Sequence, residues 1–254
     1  MMVECIQPLT DSQWQGMLPL LPTQRKRRLC LRRVVNALLY VCRTGCQWRS
    51  LPAEFPKWTA VYYYYRHWQQ NGTLQRLNRS LTQADRVRAG RAATPAVLCL
   101  DSQSVKLAPR ICEARGVDAH KKVNGRKRQL LVDTGGRVWA CCSHAAHQHD
   151  GSGAAALLPQ RRFWGPRLQA IVTDQGYRGR FTEGLLARGL RHELASRPPS
   201  TRGFVPVAQR WVVERTFAWL NCFRRLVMDY EHLPESHAAW VLWANITLCL
   251  NRIT

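Results

Sequence analysis

The chain has 254 residues, 46% of them hydrophobic, which is enough to build real cores and argues against a disordered polypeptide. Its 38 Lys and Arg against 16 Asp and Glu leave a net charge of +22, a balance that favours phosphate-rich partners through counterion release and disfavours anion-repelling roles. No apolar run approaches the roughly 20 residues of a membrane span, and the opening Met-Met-Val-Glu-Cys-Ile-Gln-Pro lacks a signal-peptide pattern, so a soluble cytosolic chain without membrane attachment is expected.

In chain order, the first 80 or so residues read as helices: 11 to 18, then 32 to 43 with its apolar positions at helical spacing, then 57 to 70. Gly45 and Gly72 are placed as helix stops, and Pro52 and Pro56 keep the intervening segment out of helix. Three helices with short links fit a small all-α helix-turn-helix domain, residues 1–83. Tyr62 to Tyr65 offer more rings than one buried stripe holds, so some face outward beside Arg66 and His67, where they suit DNA contacts; the alternative is a core face made of Trp58, Tyr62, Tyr65 and Trp68.

Residues 84–96 are polar and basic without apolar period, the composition of a linker. From residue 97 strands alternate with helices: strands at 97–101, 128–133, 137–143, 168–174 and, more weakly, 191–195; helices near 154–158, 181–188, 209–226 and 236–251. Asp133-Thr-Gly-Gly reads as the turn of an antiparallel hairpin, giving an α/β domain over residues 97–254 with a mixed sheet flanked by helices. The last helix is apolar nearly all round and is expected as a core or interface helix.

Three carboxylates stand out. Asp101 and Asp174 each end a buried-looking strand, where open sheets bind ligands if the strands are neighbours. Glu214 is the lone acid in an apolar and cationic helix, with Arg210, Trp211, Phe217, Ala218, Asn221 and Arg225 near its azimuth at about 3.6 residues per turn. Such acids in a strongly basic chain point to metal-assisted chemistry on nucleic acid. The basic run from His120 through Lys121, Lys122, Arg126, Lys127 and Arg128 is a candidate phosphate grip. His144, His147 and His149 cluster without convergent spacing, and Cys42-x-x-x-Cys46 is read as core packing in preference to a zinc site. His144 could still approach the acids from a neighbouring strand.

With these residues in hand the chain resembles, over nearly its full length, the DDE transposases of the insertion sequence 5 family. The likeness is carried by Leu9 to Trp14, Val34 to Tyr40 and Gly45 to Pro52 in the first part. In the second it is carried by Asp101 to Lys106, Gly125 to Arg128 with Leu131 to Asp133, Thr173 to Tyr177, and Arg210 to Thr216. The resemblance implies a ribonuclease H-like fold in which Asp101, Asp174 and Glu214 hold two divalent ions, Mg2+ or Mn2+, for phosphodiester cleavage and strand transfer. It also implies DNA as the partner, no small-molecule substrate, a bacterial nucleoid setting and a homodimer or larger synaptic assembly. The third motif departs from the superfamily pattern Tyr-x2-Arg-x3-Glu-x6-Lys: Val207 and Asn221 occupy the tyrosine and lysine positions, and Arg225 is the candidate replacement cation.

Overall fold

A computed structural model describes residues 8–22, 29–195 and 211–253. The chain begins with α1 (Asp11–Met17), opened by a capping box in which Thr10 Oγ1 accepts from the Gln13 N–H and Gln13 returns the bond to the Thr10 N–H. Then come α2 (Leu31–Thr44), α3 (Trp58–Gln70) and α4 (Thr73–Arg88). Gly45 ends α2 at φ 69°, and a Cβ there would stand 3.1 Å from the Arg224 backbone, so glycine serves both the left-handed cap and a close approach.

Helix α4 was not expected. Gly72 stops α3 but α4 starts immediately, and its Leu74, Leu77 and Leu81 are buried although the surrounding residues are polar. Because α4 runs to Arg88, the supposed linker 84–96 begins inside a helix. Its Asp85 and Arg86 are buried in ion pairs: Arg137 with Asp85 at 2.6 Å, Arg86 with Asp133, and Arg252 with Asp85 at 3.3 Å. Composition reads such a segment as a solvated run because its partners come from distant strands and helices.

Among the described residues the sheet is mixed and six-stranded. Its strands are β1 (Val97–Lys106), β2 (Gly116–Asp118), β3 (Val123–Asp133), β4 (Val138–Ala145), β5 (Ala170–Thr173) and β6 (Arg191–Leu194). Their order is β2-β3-β1-β5-β6, with β4 paired to β3. The expected hairpin joins β3 to β4 antiparallel, β1 lies antiparallel to β3, and β5 lies parallel to both β1 and β6. Side chains alternate between faces. Leu98, Leu100, Leu131 and Ile171 point to one core, shared with Tyr177 before α6 (Arg180–Leu186), with Ala154 of α5 (Asp150–Ala154), and with a 3-10 stretch at Ala155–Phe163. Cys99, Leu130, Val132 and Val172 point to the other, beneath α7 (Trp211–Leu220), α8 (Arg224–Val227) and α9 (Pro234–Ile253).

The helices that precede β1 share this second core with α7, α8 and α9. Helix α9 is therefore a core helix, and it carries a polar clamp. Asn245 accepts from the Val138 N–H at 2.9 Å and donates to Asn78 Oδ1 at 2.7 Å, while Asn78 donates to the Val138 carbonyl at 2.9 Å. The clamp satisfies the backbone of β4 where a bulge shifts its register. Cys42 is buried with its Sγ 3.8 Å from the Trp240 carbonyl, as core packing requires. No helix among the described residues is long and apolar enough to cross a membrane.

The single helix expected over 209–226 is broken. Helix α7 ends at Leu220, and Phe223 is extended (φ −99°, ψ 108°) before α8 begins. The break lets Phe223, Arg225 and Leu226 turn into the core, and it removes Arg225 from the Glu214 face. Arg225 instead pairs with Glu231 inside an aromatic box of Trp48, Tyr230 and Trp240, whose indole N–H also donates to Glu231 at 2.9 Å.

Removing one partner of this buried pair strands the other, so Arg225→Ala should lower stability by about 3–5 kcal/mol. A urea-unfolding midpoint changed by less than about 1 kcal/mol equivalent would contradict that role. Burial also holds the pKa of His144, whose ring lies against Gly153, and that of His192 below the ordinary 6.5. Both groups bind protons more readily unfolded. Their contribution is complete above pH 6.5 and falls as pH drops below 6.5 toward their folded values. The urea midpoint should therefore decline on acidification over that window, and a His144→Gln/His192→Gln variant should show a shallower decline.

Candidate active site and nucleic-acid surface

Strand β1 continues five residues past Asp101 to Lys106, so this acid sits within the strand and not at its end. Its parallel ladder with β5 stops at Cys99↔Val172, and Asp101 and Asp174 follow two residues beyond each partner. Cys99 and Val172 belong to the same core, and the backbone at Asp174 stays extended (φ −83°, ψ −176°). Alternation therefore carries both aspartates to the α7 side of the sheet. The strands are neighbours, as a shared site requires.

Each aspartate is held by its own backbone. Asp101 Oδ1 accepts from the Ser102 N–H at 2.7 Å; Asp174 caps the turn Gln175–Tyr177, accepting from the Gly176 N–H at 2.8 Å. Both side chains are half-buried. Glu214 stands in the first turn of α7, which packs across the same face through Val212, Val213 and Phe217. Trp211, Glu214, Ala218 and Asn221 form an exposed strip along that helix, while Phe217 is buried. Hard carboxylate oxygens on two adjacent strands fit a divalent ion such as Mg2+ or Mn2+ in donor chemistry. Among the described residues, no three His, Cys, Asp or Glu side chains converge closely enough to hold a metal ion.

The basic candidates divide by burial. Arg126 is 1% exposed and pairs with Asp229 at 2.9 Å while donating to the carbonyls of Glu231 at 2.8 Å and His232 at 2.7 Å, so it is a structural clamp and not a phosphate grip. Arg128, also 1% exposed, donates to Gln103, to the Leu226 carbonyl at 2.9 Å and to Asn221 Oδ1 at 3.3 Å. Burial lowers its pKa to about 10, and it cannot reach a phosphate. Arg225, in its box, cannot replace the missing lysine. Lys127 is bound at 3.2 Å to Asp150, and Arg66 donates to Ser236 Oγ at 3.1 Å, tying α3 to α9. Arg210 and Val207 lie outside the described residues.

Exposed candidates remain. Lys121 and Lys122 are at the surface between β2 and β3. On α3, Tyr65 and Trp68 are buried while Tyr63 is 56% exposed and stacks on exposed His67 at 5.5 Å, so the aromatic helix supplies both a core stripe and an outward platform. Asn221 is exposed.

A cluster missed in the sequence lies behind the strand acids. Ser102 Oγ donates to Asp150 Oδ1 at 2.8 Å, and the Tyr177 hydroxyl donates to Gln129 Oε1 at 2.6 Å. Burial first, then the fields of Asp101, Asp150 and Asp174, push the Tyr177 phenol well above its ordinary pKa. His144 reaches this cluster through Gln129, with Nε2 3.1 Å from its amide nitrogen, and not the acids themselves. In the sequence Asp150 directly follows His149, and no periodicity marks it.

Comparison with known proteins agrees with this architecture. Residues 9–78 match a family model described as a transposase of the IS4/5 family, and residues 92–251 match the family model "Transposase DDE domain". A protein of Burkholderia cepacia described as a transposase for insertion sequence element IS402 is 31% identical over 137 residues, 51% of this chain and 64% of that protein. An uncharacterized 16.2 kDa protein of the same element and organism is 31% identical over 112 residues, 39% of this chain and 72% of its own length. The matched part thus spans less than two thirds of the first of these relatives. The chain belongs to the DDE transposase domain family, a family of phosphoryl-transfer enzymes, in its IS4/5 branch.

Proposed function

We propose that the chain is a transposase that binds the terminal inverted repeats of its own insertion sequence and catalyses metal-dependent DNA strand cleavage and strand transfer. The observation that carries this reading is the emergence of Asp101 and Asp174 on one face of paired parallel strands, with the exposed strip of α7 that bears Glu214 across the same face. Asp101 and Asp174, completed by Glu214, would hold two Mg2+ or Mn2+ ions. Bound there, such ions supply an activated water or 3′-hydroxyl nucleophile and stabilise the leaving oxygen.

The chain's own residues do the rest. Exposed Lys121 and Lys122 grip the DNA backbone electrostatically, and Tyr63 with His67 offers a stacking surface beside it. End recognition is assigned to the amino-terminal helices, residues 1–83, and chemistry to the sheet and the helices after it; a dimer or larger assembly would pair two element ends. One observation favours a second reading, an inert DNA-binding descendant of a transposase: Val207 and Asn221 stand where the superfamily pattern has tyrosine and lysine. Strand-cleavage assays on DNA carrying the element ends separate the two.

Asp101→Asn should abolish Mg2+-dependent cleavage while leaving end binding within about twofold, since cation chemistry and phosphate grip are distinct. Loss of binding and cleavage together would refute that division. Lys121→Ala/Lys122→Ala should reduce the slope of log affinity against log salt by about 2 while cleavage at saturating DNA persists. An unchanged slope in a salt titration would remove this turn from the DNA surface.

A further inference from the structure

The last rung between β1 and β5 is Cys99↔Val172. Beyond it no backbone ladder joins the two segments, yet Asp101 and Asp174 both lie past that point. The β1–β5 ladder therefore does not by itself fix their separation. Asp150 lies between the two arms. Asp150 Oδ1 accepts from the hydroxyl of Ser102, the residue next to Asp101, at 2.8 Å. Toward the other arm, Gly151 allows the start of α5 to press on the turn after Asp174: a Cβ at Gly151 would meet the Arg178 carbonyl oxygen at 2.8 Å and that of Gly176 at 3.3 Å. Gly176 in turn has two carboxylates beside it, since a Cβ there would stand 3.0 Å from Asp174 Oδ1 and 3.7 Å from Asp150 Oδ2.

The brace is itself anchored. Lys127 Nζ lies 3.2 Å from Asp150 Oδ1, and the Gln129 amide donates to the Asp150 carbonyl at 3.4 Å while its oxygen receives the Tyr177 hydroxyl. Asp150 is thus tied to β1, to β3 and, by close packing, to the turn after β5. We propose that Asp150 is a positioning residue for Asp101 and Asp174, a cross-brace that sets the gap between the two strand acids where the parallel ladder has ended. This inference rests on the reading of those acids as cation ligands. An aspartate suits the place for two reasons: its oxygen accepts from Ser102, and its charge, together with that of Asp118 at 4.0 Å, balances the half-buried Lys127.

The test uses the full chain and Mn2+ alone as probe, with binding followed by electron paramagnetic resonance or calorimetry, and near-ultraviolet circular dichroism as the check of folding. Asp150→Ala should weaken Mn2+ binding by roughly 10-fold or more, the usual effect of losing a group that orients ligands. It should also lower kcat for end cleavage without raising KM for DNA. Asp150→Asn, which keeps an acceptor for Ser102, should restore part of the Mn2+ affinity. Ser102→Ala, which removes only a hydroxyl, serves if the Asp150 variants do not fold, and it should weaken Mn2+ binding in the same direction. If Asp101→Asn loses Mn2+ and both Asp150→Ala and Ser102→Ala bind it as the parent does, the brace is refuted while the catalytic reading stands. If Asp101→Asn also binds Mn2+ as the parent does, the cation reading fails and the brace with it.

Discussion

Three rungs of parallel strand, Val97 to Cys99 against Ala170 to Val172, join two parts of the chain that are far apart in sequence, and the positions of both strand acids depend on them. A parallel pair requires a long crossover, here the β3-β4 hairpin, α5 and the 3-10 stretch, and that crossover must close on the sheet before the ladder can form. The constraint is geometric. Once Cys99 and Val172 share a register and a face, alternation delivers Asp101 and Asp174 to the same side, and no further instruction is needed to select it.

The ladder is also short, and the structure compensates around it. Gly151 permits a backbone approach that a side chain would obstruct, a Cβ there standing 2.8 Å from the Arg178 carbonyl oxygen, so α5 and the turn after β5 seat against each other. Asp150, Ser102, Lys127, Gln129 and Tyr177 fill the space behind the acids with mutually satisfied polar groups. In a low-dielectric setting such a network gains its value from completeness, because each unpaired member would be costly.

Net charge proved a poor guide to which cations stand at the surface. Arg126, Arg128, Arg137 and Arg225 are buried, and their guanidinium donors go to carboxylates, side-chain amide oxygens and main-chain carbonyls. They tie the hairpin to α4 and to the segment around Asp229 and Glu231. The basic run leading into β3 therefore divides between solvent-facing and structural roles, with Lys121 and Lys122 exposed before the strand and Arg126 and Arg128 buried on it.

On α3 local pattern left the tyrosines open between an outward face and a core stripe, and at Asp101, Asp174 and Glu214 it marked candidate acids whose metal role came from the family resemblance; what it determined is the amphipathic α2, the mixed sheet and the Asp133–Gly136 turn. These are legible because strand and helix periodicities and turn-forming residues act over a few positions. Tertiary structure decided the remainder: that α4 continues through Asp85 and Arg86, that α7 breaks before Phe223 so that Arg225 turns inward, that Arg126 and Arg128 are buried, and that Asp150 stands beside the strand acids. In each case a long polar side chain is satisfied by partners far away in sequence, and whether burial wins over solvation depends on those partners being assembled, which no local window contains.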